Sequence, residues 1–222
     1  QVFNEQTLYL GQNLGNKYIY SKYVAERLIL EAVALRGLSA KIMRVGNLAA
    51  RSTDGEFQVN FSTNSFMGRI KVFNMLGCCP HEMRDNAVEF SPINEVSQAI
   101  VLLAHTPKCC CVFHPYNNHA VLFGDVLSEL RCVGDGVEFV DGEEFARRME
   151  IAKEDPDKAR ELASLLAYQD MAHGRKTSDV TRQNIYTMQV LYRMGYRWSH
   201  TTWDYIDRFL KAIAGMGFFD HK

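Results

Sequence analysis

The sequence predicts an α/β fold, a mostly parallel sheet followed by a mainly helical C-terminal lobe. Two observations carry this. Up to about residue 120, helical periods alternate with short apolar runs in the order α, β, α, β, α, β, the pattern of parallel strands joined by crossover helices. From Phe123 onward the alternation stops, and helical segments follow one another across short loops.

The first helix spans Lys17 to Arg36, with apolar residues at Tyr20, Val24, Leu28, Ala32 and Leu35 in steps of three or four. Asn16 supplies an N-cap and Gly37 a C-terminal stop. Directly after that glycine, "SAKIMRVGNL" reads as a buried strand, so helix, tight turn and strand form the second half of a βαβ unit. Asp54-Gly55 is a turn signal, and a helix is expected over about 62–76. A strand over Ala87–Phe90 leads into a helix that opens near Asn94 and closes before Pro107, and "CCVFHPYNN" is a further apolar strand.

In the second part, "GDVLSELRCVG" reads as a helix, "VEFV" as an edge strand and "GEEFARRMEIAKE" as a helix. Asp155 and Pro156 cap and open "PDKARELASLLAYQD". The last helices are "SDVTRQNIYTMQVLYRMG", stopped by Gly195, and "TTWDYIDRFLKAIAGMG". Residues 1–60 and 86–120 are therefore assigned to the sheet-bearing half, and residues 61–85 and 121–222 to the lobe.

Composition narrows the partners. A chain of 222 residues with 47% hydrophobic and 23% charged residues is that of an ordinary globular protein. A net charge of −1 provides no overall basic field for nucleic acid or an anionic membrane, so neither is expected as a partner. No apolar run approaches the roughly 20 residues that span a bilayer. The opening "QVFNEQTLYLGQN" has no initiator Met and no signal-peptide pattern, and reads as the interior of a longer protein. The cysteines are Cys78, Cys79, Cys109, Cys110, Cys111 and Cys132. Lacking CxxC or nearby His spacing, they predict no metal site and are expected to be buried reduced thiols, which suits the cytoplasm.

Chemistry concentrates in "NKYIYSKYVAER". Tyr18 and Lys22 are four residues apart, so on a helix they share one face about a turn apart. An ammonium beside a phenol favours the phenolate, and such a pair can pass a proton to and from a carbonyl oxygen as hydride moves at carbon. The same spacing arises on ordinary helix surfaces, where Lys22 would pair with Glu26, although Lys before Glu is the weaker order.

The wider blocks carry a resemblance. "YIYSKYVAERLILEAVALRGLSAKIMRVGNL" is similar to the active-site helix and following strand of extended short-chain dehydrogenase/reductases. Together with "DGEFQVN", "FSPINEVSQAIVLLA", "FHPYNN" and "YRMGYRW", it resembles the terminal thioester reductase domains of nonribosomal peptide synthetases over nearly all of the chain. The resemblance implies a partial Rossmann-like parallel sheet and a C-terminal substrate lobe. It implies NADPH-dependent release, as aldehyde or alcohol, of a peptidyl or aminoacyl thioester held on the phosphopantetheine of an upstream carrier domain, with an adenylation domain before it. Tyr18 and Lys22 would be the catalytic pair. Lys22 would also hold the nicotinamide ribose, and Gly46, Asn47 and Leu48 would line the nicotinamide pocket.

A dinucleotide site of this kind needs a glycine-rich turn after its first strand. Neither G-x-G-x-x-G nor G-x-x-G-x-x-G occurs, and "GQNLGN" follows no convincing strand. The third catalytic hydroxyl implied by the resemblance also finds no match, since Thr7 lies too near Tyr18. The chain is therefore expected to be the C-terminal part of a reductase domain, unable by itself to bind NADPH tightly or to turn over, with an exposed sheet edge. A sugar-nucleotide epimerase or dehydratase uses the same dyad, but "DGEFQVN" and "FSPINEV" favour the reductase. A non-catalytic docking module is the reading from another class.

Other residues weigh less. His114 and His119 flank the end of a strand, where an α/β sheet often binds ligand, and His81 lies near the cysteine pair. Phe57, Phe61, Phe66 and Phe73 are expected in the core, with a channel for the acyl or pantetheine arm as the alternative. In the resembled domains the C-terminal lobe helps dock an acidic carrier protein, which would make Arg147, Arg148 and Lys153 contacts for it.

Overall fold

The computed structural model describes residues 1–58, 64–134, 136–163 and 180–219. Phe61 and the later part of "PDKARELASLLAYQD" lie outside them.

Helix α1 runs from Lys17 to Arg36 as expected. The Asn16 side chain accepts from the backbone N–H groups of Tyr18 and Ile19 at 3.0 and 3.2 Å, and Gly37 closes the helix in the left-handed region with φ of 65°. Its apolar stripe behaves unexpectedly: Tyr20, Leu28 and Leu35 are 52%, 53% and 83% exposed, and only Ala32 is buried. Caps and polar ties hold the helix instead. Arg44 Nε donates to Glu26 Oε1 at 3.0 Å, Arg44 Nη1 donates to the Asn4 carbonyl at 3.0 Å, and the Tyr9 and Tyr23 rings meet edge to face.

The run "SAKIMRVGNL" forms two strands. β2 (Ile42–Met43) pairs in parallel with β7 (Val112–Phe113), and β3 (Leu48–Ala49) pairs in parallel with β6 (Ser91–Pro92). Gly46 and Asn47 form the link between β2 and β3. Helix α2 (Ser65–Leu76) starts where the Asn64 side chain accepts from the N–H groups of Phe66 and Met67, later than the expected 62. β4 (Cys78–Pro80) follows, pairing in parallel with β9 (Glu138–Val140), the expected "VEFV" strand. β5 (Ala87–Glu89) pairs antiparallel with β8 (Ala120–Leu122), so strand pairing among the described residues is mostly parallel, as expected, with this one antiparallel pair. Helix α3 spans Ile93–Ala104.

The second part is mainly helical: α4 (Phe123–Glu129), α5 (Gly142–Lys153), α6 (156–163), α7 (Ile185–Arg193) and α8 (Trp203–Gly215). One expected helix is shortened. Where 178–195 reads as helical, β10 (Thr181–Arg182) pairs in parallel with β1 (Val2–Phe3), and α7 begins only at Ile185. The ladder captures the backbone, with Thr181 N donating to Gln1 O at 2.8 Å and Gln183 N to Phe3 O at 2.9 Å. The buried Asn184 amide then donates to the carbonyls of His114 and Tyr116, fixing a bend that a continuous helix could not hold.

The main core joins both parts of the chain. Phe90, Phe73, Phe123, Ile206, Phe209 and Leu210 are nearly or fully buried in one cluster. A second cluster sets Val96, Leu103 and Phe113 against Leu191 and Trp198. The cysteines divide rather than sharing one buried fate: Cys78 and Cys79 are buried on β4, whereas Cys109 and Cys132 are exposed and Cys110 and Cys111 half-buried. The triple run falls in the turn before β7, a surface position that an apolar count does not reveal. Burial pushes the Cys79 thiol up to about 12, leaving it inert at neutral pH.

Candidate active site

Tyr18 and Lys22 stand on the first turns of α1, where the Asn16 cap fixes the direction of the helix. The Lys22 ammonium lies 5.5 Å from the centre of the Tyr18 ring, and Tyr18 is 70% exposed. The competing partner for Lys22 is occupied, because Glu26 is ion-paired with Arg44. The Lys22 ammonium thus lies over the Tyr18 ring, with both side chains open to solvent.

Gly46, Asn47 and Leu48 line a cavity of about 440 Å3 together with Phe57, Phe66, Met67 and Glu89. Gly46 is required by space: an added Cβ would lie 2.5 Å from Tyr116 Cβ and would overlap the Glu89 carboxylate. Gly46→Ala is expected to destabilise the fold by about 1–3 kcal/mol through overpacking. It should also distort the backbone that lines the cavity, as a thermal melt and a ligand titration on the same protein would register.

The residue the sequence concealed is Glu89. It is 9% exposed, and its Oε1 accepts from Asn47 N–H at 3.0 Å and from the Ser91 hydroxyl. Ser91 Oγ in turn accepts from Asn117 N–H at 2.9 Å. Burial raises the Glu89 carboxyl above the usual carboxylate range, opposed by Ser91, Arg182 and the Asn47 amide. A second cavity of about 400 Å3, lined by Glu89, Tyr116, Asn117, Asn118 and Arg182 among others, meets the first at this side chain. The signal available in the sequence was a lone acid inside the apolar run "AVEFSP".

The histidines are structural in their contacts. His114 is 2% exposed; Arg44 Nη1 donates to its Nε2 at 2.8 Å, so Nδ1 carries the proton and donates to Gln183 O at 3.0 Å. Burial, then Arg44, holds its pKa below the ordinary 6.5. Folding therefore resists a proton that the unfolded chain accepts, so stability is expected to fall as pH drops below 6.5. Melts at about pH 7.5 and about pH 5.5 should show this, with a smaller difference in His114→Gln. His119 bonds Asn117 Oδ1 and lies against His200, while His81 stacks on Phe139.

Of the aromatics, Phe57 and Phe66 face the first cavity and Phe73 is 1% exposed within the core. Arg147 and Arg148 pair with Glu144, Arg148 also pairs with Glu138, and Lys153 pairs with Glu150. Those basic side chains are engaged within their own surface rather than free.

Comparison with known proteins supplies context. Residues 1–100 match the NAD-binding family model described as Male sterility protein. The L-2-aminoadipate reductase large subunit of Candida glabrata is 26% identical over 96% of this chain and 16% of its own length. The PKS-NRPS hybrid synthetase acdB of Aspergillus candidus is 33% identical over 54% of this chain and 5% of its own. Among solved structures, a thiolation-reductase di-domain from an archaeal non-ribosomal peptide synthetase superposes with a TM-score of 0.85 at 34% identity, covering 99% of this chain and 45% of that one. The chain thus spans under a fifth of these curated relatives and less than half of the solved one. No helix among the described residues is long and apolar enough to cross a membrane.

Proposed function

We propose, on the premise that the chain belongs to the reductase-domain family of nonribosomal peptide synthetases and aminoadipate reductases, that the protein carrying it reduces a carrier-bound thioester with NADPH. The observation that carries the reading is the Tyr18–Lys22 pair, set on a capped helix with Lys22 at 5.5 Å from the tyrosine ring, inside a chain alike over 99% of its length to a thiolation-reductase di-domain.

The residues present fit the nicotinamide end of such a cofactor. Gly46–Leu48 offer backbone on a cavity wall where no side chain fits at Gly46, and Lys22 is long enough to reach a ribose hydroxyl. Bound NADPH would supply a hydride to the thioester carbonyl carbon. Tyr18 protonates or hydrogen-bonds the oxygen as negative charge develops on it, and the Lys22 ammonium stabilises the phenolate left behind. Collapse of the resulting hemithioacetal breaks the C–S bond, the sulfur leaving as the pantetheine thiol after taking up a proton. Phe57 and Phe66 form an apolar part of the wall of the cavity beside Gly46–Leu48, which also carries Asn86 and Glu89, and would shelter the acyl chain. The substrate is then a peptidyl or aminoacyl group on the phosphopantetheine of a carrier domain, activated by an adenylation domain of the same synthetase.

A pantetheine thioester of a simple acyl chain, incubated with the protein and NADPH and trapped with a hydroxylamine, tests this. The expected product is the oxime of the aldehyde. Recovery of only the free acid would contradict it.

A further inference from the structure

Glu89 ties together three separate stretches of chain at the wall of the candidate site. Its Oε1 accepts from the Asn47 amide at 3.0 Å, in the link between β2 and β3. The same oxygen accepts from Ser91 on β6, whose hydroxyl holds the Asn117 amide at 2.9 Å beyond β7. Backbone pairing reinforces the arrangement, since Ser91 N donates to Asn47 O at 3.0 Å. Oε2 makes no hydrogen bond among the described residues and faces Arg182 Nη1 at 3.8 Å. Gly46 packs so tightly on Glu89 and Tyr116 that no Cβ fits. Glu89 also lines both cavities, which makes its side chain part of the partition between them.

A buried carboxylate is an unfavourable way to fill space, because only good hydrogen bonds offset its desolvation. Two acceptor contacts made by one oxygen toward backbone and hydroxyl donors are of the kind that fixes backbone position. Asn47 and Leu48 themselves are exposed, so little besides this carboxylate and the β3–β6 pairing restrains them.

We propose that Glu89 is a positioning residue for the reduction: through Asn47 and Gly46 it sets the backbone against which the nicotinamide end of the cofactor rests, and with it the angle of hydride delivery. This rests on the function proposed above. A misplacement of about 1 Å at reacting atoms costs on the order of a hundredfold in rate.

The test compares Glu89→Gln and Glu89→Ala in the protein that carries this chain. Gln keeps the shape and an oxygen for Asn47 and Ser91, whereas Ala removes the acceptor. Three readouts are needed: the rate of hydride transfer in a single turnover with the isotope effect from deuterated NADPH, the affinity for NADPH by fluorescence titration, and hydrogen exchange at the Asn47 amide. For Glu89→Ala, hydride transfer is expected to slow by about tenfold to a hundredfold, with faster exchange at Asn47, and Glu89→Gln is expected to restore most of the rate. Glu89→Ala with a rate and an Asn47 exchange within about twofold of wild type would overturn the proposal. So would a Glu89→Gln as damaged as Glu89→Ala with both losses matched by the unfolded fraction. A wild-type protein that binds NADPH but reduces no thioester overturns the proposed function instead, and unchanged affinity and exchange in Glu89→Ala would then overturn positioning separately.

Discussion

Tyr18→Phe is expected to lower kcat for thioester reduction by about a hundredfold to ten-thousandfold while leaving NADPH affinity within about twofold. The substitution removes one hydroxyl from a side chain that is 70% exposed on a helix capped by Asn16, so nothing in the fold depends on it. Lys22 keeps its place, since the Phe ring still offers a face to the ammonium. A loss confined to kcat would mark an interaction made as the oxygen gains charge, whereas a loss confined to KM would mark ground-state binding. Single-turnover kinetics with circular dichroism on the same preparation separates these from unfolding.

Phe209→Ala is expected to destabilise the protein by about 3–5 kcal/mol, measured by urea unfolding. Phe209 is 1% exposed on α8, with the Phe57 ring at 5.7 Å and the Phe90 ring at 6.0 Å, both edge to face. Its removal leaves a void where the C-terminal helix meets the strand region, because the two aromatic neighbours cannot both collapse inward. It also lines the cavity beside Gly46–Leu48, so the variant should bind acyl substrate less tightly even where it remains folded.

The parts that were legible in the sequence are those set by local chemistry. α1 appears with the cap and stop that Asn16 and Gly37 announce, and Gly46 and Asn47 leave strand β2 as read from "SAKIMRVGNL", although Leu48 already begins a second strand that the single run did not show. The Tyr18–Lys22 contact follows from helical spacing alone. Features set by distant pairing were hidden. The β1–β10 ladder joins residues almost at opposite ends of the chain, and each strand is only two residues long, too short to leave a period. The antiparallel β5–β8 pair is a matter of topology that alternation of elements does not specify. Glu89 escaped for the same reason: its partner Asn47 is remote in sequence, as is Asn117, which it reaches only through Ser91, and a single acid in an apolar strand has no periodicity to betray it. The stripe of Tyr20, Leu28 and Leu35 shows the converse, an amphipathic signal that finds no covering surface among the described residues.

In the proposed reaction thioester cleavage depends on prior reduction of the carbonyl carbon. The most direct measurement follows NADPH consumption and free pantetheine thiol in the same reaction, with the thioester as substrate. Thiol release that requires NADPH, with one NADPH consumed per thiol for an aldehyde product or two for an alcohol, is the expected result. Thiol released at the same rate without NADPH would make the protein a hydrolase and contradict the account.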